Sequence, residues 1–264
     1  MTFSDRTCWI TGASSGIGKE IALLLAKEKA KLILSGTNLD LLNEVSRECA
    51  KHTDFCKVIP FDLSKPEEVA RTANEVVENY GPIYLLINNG GITQRSLAIE
   101  TSVEIDRKIM EIDYFSHVSI TKIVIPGMIK AKEGYIAATS SIAGKFGFHQ
   151  RSAYSAAKHA LQGFFETLRL EVKPLNVFVT VVYPGFINTP ISVRALDSTG
   201  KPHGVMDSNQ LKGMSAQKCA RKYIKAIKTR KPEAIIGGKE LIMIYLKRFL
   251  PCLFFRLIGK VKAT

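Results

Sequence analysis

Short apolar segments alternate with amphipathic segments along most of this 264-residue chain. The apolar segments are rich in β-branched residues, and those between them carry apolar residues at helical spacing. Because the alternation runs without a long structureless gap, it predicts a parallel sheet covered by helices on both faces. We therefore predict one α/β domain over residues 1–240, a Rossmann-like doubly wound fold of about seven strands, at 7–11, 31–35, 56–61, 84–87, 134–138, 177–183 and 233–236.

The first predicted strand leads directly into a glycine-rich turn that opens a helix. Glycines let the backbone approach a phosphate closely, and a helix N-terminus offers free N–H groups and the positive end of its dipole. Ligands of such sheets bind beyond the carboxyl ends of the strands, where this turn lies. A purely structural turn has the same signature, but we predict a phosphate site formed by Gly12, Ser14, Ser15, Gly16, Ile17 and Gly18.

The second predicted strand ends at Gly36 and Thr37, which bear on the choice of cofactor. Dinucleotide-binding proteins often carry an acid here that binds the adenosine ribose, and its absence leaves room for a 2′-phosphate. Gly36 is therefore unfavourable for NAD(H), whereas Thr37 is not the arginine that would select NADP(H). Gly36 and Thr37 together favour NADP(H), with NAD(H) as the alternative. Asp62 and Leu63, which follow the third predicted strand, are expected to contact the adenine.

Tyr154 and Lys158 are four residues apart in a helix predicted over 152–174, so they share one helix face. An ammonium near a phenol favours the ionised phenol, which makes Tyr154 a candidate proton donor and acceptor. Ser141 lies thirteen residues before the tyrosine, at the end of the fifth predicted strand. A Tyr and Lys pair is common on ordinary amphipathic helices, so its meaning depends on the other motifs.

The net charge of +13 is concentrated at one end of the chain. Residues 1–200 carry 22 Lys and Arg against 21 Asp and Glu, whereas residues 201–264 carry 15 against 3. Such a distribution indicates a local interaction surface or a solvated tail, so we predict no nucleic-acid partner. Five scattered cysteines without a C-x-x-C pair predict neither disulfides nor a metal site. Together with an N-terminus unlike a secretory signal, they predict a cytoplasmic protein.

In this order and placement, the motifs resemble those of the short-chain dehydrogenase/reductase family over residues 5–240. The matching residues are Thr11-Gly12-x-x-x-Gly16-x-Gly18, Asp62, Asn88-Asn89-Gly90, Ser141, Tyr154-x-x-x-Lys158, and Pro184-Gly185 with Thr189 downstream. The resemblance implies an NAD(P)-dependent oxidoreductase that transfers hydride between nicotinamide and a carbonyl or alcohol carbon.

The resemblance also implies roles for single residues. Tyr154 would exchange a proton with the substrate oxygen, Ser141 would hydrogen-bond that oxygen, and Lys158 would hold the nicotinamide ribose. Thr189 and the backbone near Ile187 would hold the carboxamide. Further cofactor contacts are expected at Asn89, Gly90, Pro184 and Gly185.

Asp113 departs from the family pattern. It lies in a long helix predicted from Thr101 to beyond Pro126, where the family usually places an asparagine that supports a water leading from the catalytic lysine to solvent. A carboxylate there can accept hydrogen bonds from that water and stabilise Lys158 as a cation. We therefore count Asp113 among the catalytic candidates and expect an altered pH dependence.

Residues 191–213 lack clean periodicity, and the resemblance implies a lid over the substrate. Val193, Leu196, Val205 and Met206 are the expected substrate contacts, with an ordinary surface loop as the alternative.

Residues 241–264 form a basic apolar tail. Charges and Pro251 interrupt the apolar run over 241–258, so it is not expected to span a membrane. It can form an interfacial helix pair on an anionic bilayer, or pack on a partner subunit or over the substrate mouth.

We predict an NADP(H)-favouring oxidoreductase acting on a lipophilic ketone or secondary alcohol, such as a steroid, retinoid or acyl carbonyl. The long helices would form a homo-oligomer. The alternatives are a 3-oxoacyl-thioester reductase and, from another class, a cofactor-binding scaffold or regulatory protein at a membrane surface.

Overall fold

The computed structural model describes residues 1–259, and its centre is a seven-stranded sheet. Every neighbouring pair of strands in it is parallel. Its strands are β1 (Thr7–Thr11), β2 (Lys31–Ser35), β3 (Cys56–Val58), β4 (Leu85–Asn88), β5 (Gly134–Thr139), β6 (Val177–Pro184) and β9 (Glu233–Ile236). They lie in the order β3-β2-β1-β4-β5-β6-β9, with a short separate pair of strands, β7 (Ile187–Asn188) and β8 (Met214–Ser215). The predicted doubly wound α/β fold is confirmed.

Helices connect the strands. Those of the described chain are α1 (Gly16–Lys27), α2 (Leu39–Cys49), α3 (Pro66–Tyr80), α4 (Val103–Met110), α5 (Ser116–Ala131), α6 (Ser152–Val172), α7 (Ser208–Leu211), α8 (Ala216–Lys228), α9 (Ile242–Phe249) and α10 (Pro251–Ile258). Short 3-10 turns occupy Ile142–Gly144, Lys173–Leu175 and Lys239–Leu241. A π-helical turn at Glu111–Phe115 joins α4 to α5.

Two apolar layers hold the helices on the sheet. On one face, α1, α2 and α8 bury side chains such as Leu25, Val45 and Tyr223. On the other, α5 and α6 bury side chains such as Ile120 and Phe165 together with part of α3. Each such side chain contributes about 1.5–3 kcal/mol on burial, so the sheet needs both layers. This is why strands such as β4 and β5 are buried along their whole length.

The direction in which the sheet grows reverses beside β1. The chain places β2 and then β3 on one side of β1, and afterwards crosses to place β4 on the other. Connections that leave in opposite directions open a crevice at the carboxyl ends of the two central strands. Thr11 ends β1 and Asn88 ends β4 at this crevice.

Some predicted boundaries are wrong. The third strand ends at Val58 rather than at residue 61, although the Ile59 and Phe61 N–H groups beyond it still donate to the Leu34 and Gly36 carbonyl oxygens at 3.0 and 3.1 Å. The long helix begins at Val103, where Ser102 is the N-cap, because the Thr101 hydroxyl already donates to the Leu97 carbonyl at 2.8 Å. The π-helical turn then interrupts it at the position of Asp113.

The tail prediction falls partly outside the described chain. Residues 241–258 form the helix pair α9 and α10, whereas residues 260–264 lie outside the described residues. Between residues 1 and 259, no helix is both long enough and apolar enough to cross a membrane.

Candidate active site

A cavity opens at the crevice between the ends of β1 and β4. Its lining includes all four catalytic candidates, Asp113, Ser141, Tyr154 and Lys158. It also includes the other predicted cofactor residues Gly12, Ser14, Ser15, Gly16, Ile17, Gly36, Thr37, Asp62, Leu63, Asn89, Gly90, Pro184, Gly185, Ile187 and Thr189. Gly18 does not line it. A Cβ on Gly18 would collide with the Gly12 carbonyl oxygen, so this glycine lets α1 pack closely beneath the turn.

The glycine turn is held by its neighbour at the end of β4. Gly12 has a φ of +66°, and a Cβ there would lie 2.7 Å from the Cα of Gly90. The Thr11 hydroxyl accepts the N–H groups of Asn89 and Gly90 at 3.0 and 3.1 Å. The Ser15 side chain at the N-cap of α1 makes no capping bond. The first turn of α1 therefore retains backbone donors toward the cavity, and the cradle suits a dinucleotide phosphate.

At the adenosine end, space surrounds Gly36. A Cβ there would have Ser14 Oγ as its nearest neighbour, at 3.7 Å, so the position can take a side chain. The Asp62 carboxylate accepts the N–H of Ser64 at 2.9 Å, which fixes the turn after β3. Neither Gly36 nor Thr37 carries a negative charge that would repel a 2′-phosphate.

The three catalytic candidates of the family motif come from two elements. Tyr154 and Lys158 lie on α6, where Lys158 Nζ is 5.6 Å from the centre of the Tyr154 ring. Ser141 follows β5, and its Oγ accepts the Ala143 N–H at 3.1 Å, which leaves its O–H available to donate. The neighbouring Ser140 hydroxyl donates to the Lys158 carbonyl at 2.9 Å and ties the end of β5 to α6.

Lys158 is held by two oxygen atoms. Its Nζ lies 3.1 Å from the Thr139 carbonyl oxygen and 3.1 Å from Asp113 Oδ2. Asp113 is fully buried, and its Oδ1 accepts the Ile92 N–H at 2.8 Å. Burial raises the pKa of the Asp113 carboxyl, while Lys158 and the Ile92 N–H oppose that rise. The π-helical turn places this carboxylate toward the cavity, consistent with the frequent use of such turns at functional sites.

His117, one helical turn beyond Asp113, was missed in the sequence. It is fully buried, and its Nε2 lies 2.8 Å from the Gly90 carbonyl oxygen. Burial and the nearby charge of Lys158 lower the pKa of His117 to about 3. The ring is therefore neutral and donates through Nε2, which supports the turn that faces the cofactor cradle. The signal in the sequence that could have identified His117 is its position four residues after Asp113.

A buried cluster of two arginines and one aspartate was also missed. Arg95 and Arg151 line the cavity, and Asp207 contacts both. Arg95 Nε lies 3.2 Å from Asp207 Oδ1, and Arg151 Nη2 lies 3.1 Å from Oδ2. Burial and then the charge of Arg95 lower the pKa of Arg151 to about 10. The cluster joins the predicted lid to the segment before α4 and to the start of α6.

The predicted substrate contacts in the lid are not at the cavity. Among the described residues, Val193, Leu196, Val205 and Met206 do not line it, whereas Ile191, Arg194 and Gln210 do. Leu196 instead pairs by its backbone with Gln94, and Val205 is exposed.

An apolar cluster lies beside Tyr154. Phe146, Phe148 and Met243 are buried in it together with Phe254 of α10. The Phe254 ring is centred 5.3 Å from that of Phe146. The tail therefore packs on the segment after β5, at the active-site end of the sheet. Among the described residues, Met243 and Phe254 do not line the cavity, so contact of the tail with a bilayer, a partner subunit or the substrate mouth stays a prediction.

Glu240 holds the loop after β6. Its Oε1 accepts the N–H groups of Phe186 and Gly238, each at 2.9 Å. A Cβ on Gly185 would collide with the same carboxylate. These bonds from Glu240 fix one wall of the cavity. None of the sequence motifs indicated a role for Glu240.

Comparisons with known proteins agree with this geometry. A family described as short chain dehydrogenase matches residues 6–199. Dehydrogenase/reductase SDR family member 7B of Mus musculus is 41% identical over 257 residues, which cover 95% of this chain and 79% of the mouse protein.

Two solved structures are similar. A short chain dehydrogenase/reductase of Burkholderia phymatum in complex with NAD has a TM-score of 0.84 at 21% identity, covering 96% of both chains. A metagenomic short-chain oxidoreductase in complex with NADP has a TM-score of 0.67 at 28% identity, covering 70% of this chain and 84% of its own. The chain described here belongs to the short-chain dehydrogenase/reductase family and is an NAD(P)-dependent oxidoreductase acting on alcohol or ketone groups.

Proposed function

We propose that this oxidoreductase transfers a hydride between NADP(H) and a lipophilic ketone or secondary alcohol. One observation carries the proposal: the cavity that holds Ser141, Tyr154 and Lys158 adjoins an apolar cluster at the same edge of the sheet. A polar catalytic group beside apolar walls suits a substrate with one carbonyl or hydroxyl group on a hydrocarbon body.

The side chains divide the chemistry between them. When bound, the nicotinamide supplies or accepts the hydride. The Tyr154 hydroxyl gives a proton to the substrate oxygen in reduction and removes one in oxidation. Ser141 donates a hydrogen bond to that oxygen. Lys158, held by Thr139 and Asp113, keeps a positive charge near the phenol.

The adenosine end supports NADP(H) over NAD(H). The space beside Gly36, the absence of an acid there and the hydroxyl of Thr37 all favour a 2′-phosphate. An acid at the position of Gly36 would favour NAD(H) by binding its adenosine ribose, and this chain has no acid there.

The exposed side of the tail supports contact with an anionic membrane surface. Ile242, Phe249 and Phe255 are 60%, 73% and 68% exposed, while Met243 and Phe254 on the opposite side are buried. Arg248 and Arg256 lie exposed among these apolar residues, whereas the half-buried Lys247 donates from Nζ to the Lys145 carbonyl at 2.8 Å. An amphipathic pair with this arrangement binds bilayers through apolar insertion and attraction to anionic headgroups. We propose a cytoplasmic protein that binds such a surface peripherally.

Oligomer formation is also proposed. Phe115, at the end of the π-helical turn, and Leu170, on α6, are 50% and 76% exposed, which suits helix packing between copies. A second candidate activity is reduction of a 3-oxoacyl thioester. It is favoured by the exposed cations of α8, Arg221, Lys222 and Lys225, which suit docking of an acidic carrier protein.

Turnover on a substrate panel tests the proposed function. Oxidation of NADPH and of NADH is followed with steroid, retinal, aromatic and acyl-thioester carbonyls. Tyr154→Phe should lose turnover by about 100-fold or more, whereas Tyr80→Phe, at the end of α3, should retain it. A panel in which the unaltered protein never exceeds Tyr154→Phe would favour the cofactor-binding scaffold or regulatory protein. The preferred carbonyl separates the lipophilic ketone from the thioester.

A further inference from the structure

We propose that Arg194 of the lid binds a phosphate of the dinucleotide cofactor, opposite the N-terminus of α1. The inference deepens the proposed function and rests on it, because the phosphate belongs to the cofactor. The family motif assigns no role to this residue.

Arg194 lies directly over the glycine turn. Its Nη1 is 3.4 Å from Ser15 Oγ, and both residues line the cavity. The chain leading to it already touches the turn, since a Cβ on Gly16 would lie 3.0 Å from Thr189 Cγ2. The lid therefore carries a guanidinium to the cradle that suits a phosphate.

The charges around the cavity single out Arg194. Four cations line it, and three of them contact a buried carboxylate. Arg95 and Arg151 contact Asp207, and Lys158 contacts Asp113. Arg194 makes no salt bridge with any residue in the described part of the chain. Its guanidinium is thus available to a phosphate, which it can bind through two parallel N–H groups.

The opposite side of the same space is also electropositive. Ser15 is the N-cap of the twelve-residue helix α1, yet its side chain makes no capping bond. No acidic residue occupies the first turn of α1. A phosphate between Arg194 and this helix end would meet backbone donors and a positive dipole on one side and a guanidinium on the other. The Ser15 hydroxyl lies between the Arg194 guanidinium and the N-terminus of α1.

Two cofactor groups have this chemistry. The pyrophosphate is common to NADPH and NADH, whereas the 2′-phosphate belongs to NADPH alone. Ser14 lies next to Gly36 at the adenosine end, and Thr37 provides no cation there. Arg194 can therefore serve as the pyrophosphate partner or as the cation that a 2′-phosphate lacks.

Cofactor binding measured by calorimetry tests the inference without relying on turnover. NADPH and NADH are titrated into the unaltered protein, Arg194→Gln, Arg194→Lys and the control Arg107→Gln. Arg107 is exposed on α4, so its substitution makes the same charge change away from the cavity. ADP-ribose and adenosine 2′-monophosphate serve as probes for the pyrophosphate and the 2′-phosphate.

We expect Arg194→Gln to raise the Kd about tenfold and Arg194→Lys to raise it less. Losses for both dinucleotides and for ADP-ribose identify the pyrophosphate. A loss confined to NADPH and adenosine 2′-monophosphate identifies the 2′-phosphate. If Arg194→Gln still binds NADPH, and its Kd for every ligand lies within twofold of that of the unaltered protein, the inference about Arg194 is overturned while the proposed function stands. If the unaltered protein bound neither dinucleotide, the proposed function would fail with it.

Discussion

Lys158 Nζ lies 3.1 Å from Asp113 Oδ2, and both side chains are almost completely buried. The cation beside the candidate proton donor Tyr154 is therefore balanced by a carboxylate, where the family pattern usually has an amide. Burial raises the pKa of the Asp113 carboxyl, and the neighbouring Lys158 opposes that rise, so this ion pair offsets part of the cost of burying a carboxylate.

Asp113→Asn should keep turnover within a few-fold, because the amide oxygen can still accept the Ile92 N–H. The alkaline limb of the variant's pH–activity profile should move to lower pH by on the order of one unit. The reason is that a negative charge helps neighbouring groups keep their protons, and the variant removes it. Profiles of kcat and kcat/KM against pH measure the shift, with Asp106→Asn on α4 as the control. Superimposable profiles would remove any special role for Asp113.

His117→Gln should flatten the pH dependence of stability. Above pH 6.5 the ring is neutral in both the folded and the unfolded state. Between pH 6.5 and the folded pKa of about 3, only the unfolded state binds the proton, so stability falls as pH falls. Within that pH range, His117 alone should change the free energy of unfolding by about 1.4 kcal/mol per pH unit.

Urea unfolding at several pH values between 4 and 6.5 measures this slope. The glutamine amide can still donate to the Gly90 carbonyl, so the variant is expected to fold. His52→Gln, at an exposed position, should keep the slope of the unaltered protein. An equal slope in His117→Gln would contradict the assignment of a neutral ring.

Gly18→Ala should destabilise the protein by about 1–3 kcal/mol and weaken cofactor binding. The added Cβ meets the backbone oxygen of Gly12, which cannot move without opening the cradle. Gly163→Ala is the matched control on α6, where no atom lies within 4 Å of the added Cβ. It should stabilise by about 0.5–1 kcal/mol. Urea unfolding and NADPH titration report both effects, and a neutral Gly18→Ala would refute the packing role.

Gly36→Asp should reverse the proposed cofactor preference. An aspartate fits the space beside Gly36, where it would repel a 2′-phosphate and accept a bond from a ribose hydroxyl. The ratio of NADPH to NADH affinity should fall about tenfold or more. Gly36→Asn has the same shape without the charge and should change the ratio much less. Equal effects of the two substitutions would show that shape, not charge, decides the choice.

The exposed apolar face of the tail should carry membrane binding. Phe249→Ser combined with Phe255→Ser should reduce flotation with vesicles containing anionic lipid several-fold. Ile99→Ser removes an exposed apolar side chain from the loop before α4 and should float like the unaltered protein. These substitutions leave Glu240 and its bonds to the active-site loop in place. Recovery of the unaltered protein in the soluble fraction would end the membrane proposal.

The fold and the position of the cavity followed from the sequence because they depend on local patterns. Apolar β-branched segments alternating with helices define a parallel sheet, and a glycine turn after β1 marks the end where ligands bind. Most predicted cofactor and catalytic residues line one cavity for the same reason, since they follow the carboxyl end of a strand or lie in the first turns of a helix. Asp113 instead reaches the cavity from the π-helical turn, and Gly18 does not line it. Their roles remain predictions.

The sequence by itself determined the α/β class, the edge of the sheet that carries the site, and the departure at Asp113. Only the tertiary structure decided what surrounds that edge. Arg95 and Asp207 are 112 residues apart, and Glu240 reaches the loop after β6 from 54 residues away. Periodicity describes neighbours along the chain, whereas these contacts depend on how distant segments pack. That packing brings Arg194 to the glycine turn and Phe254 to the active-site end.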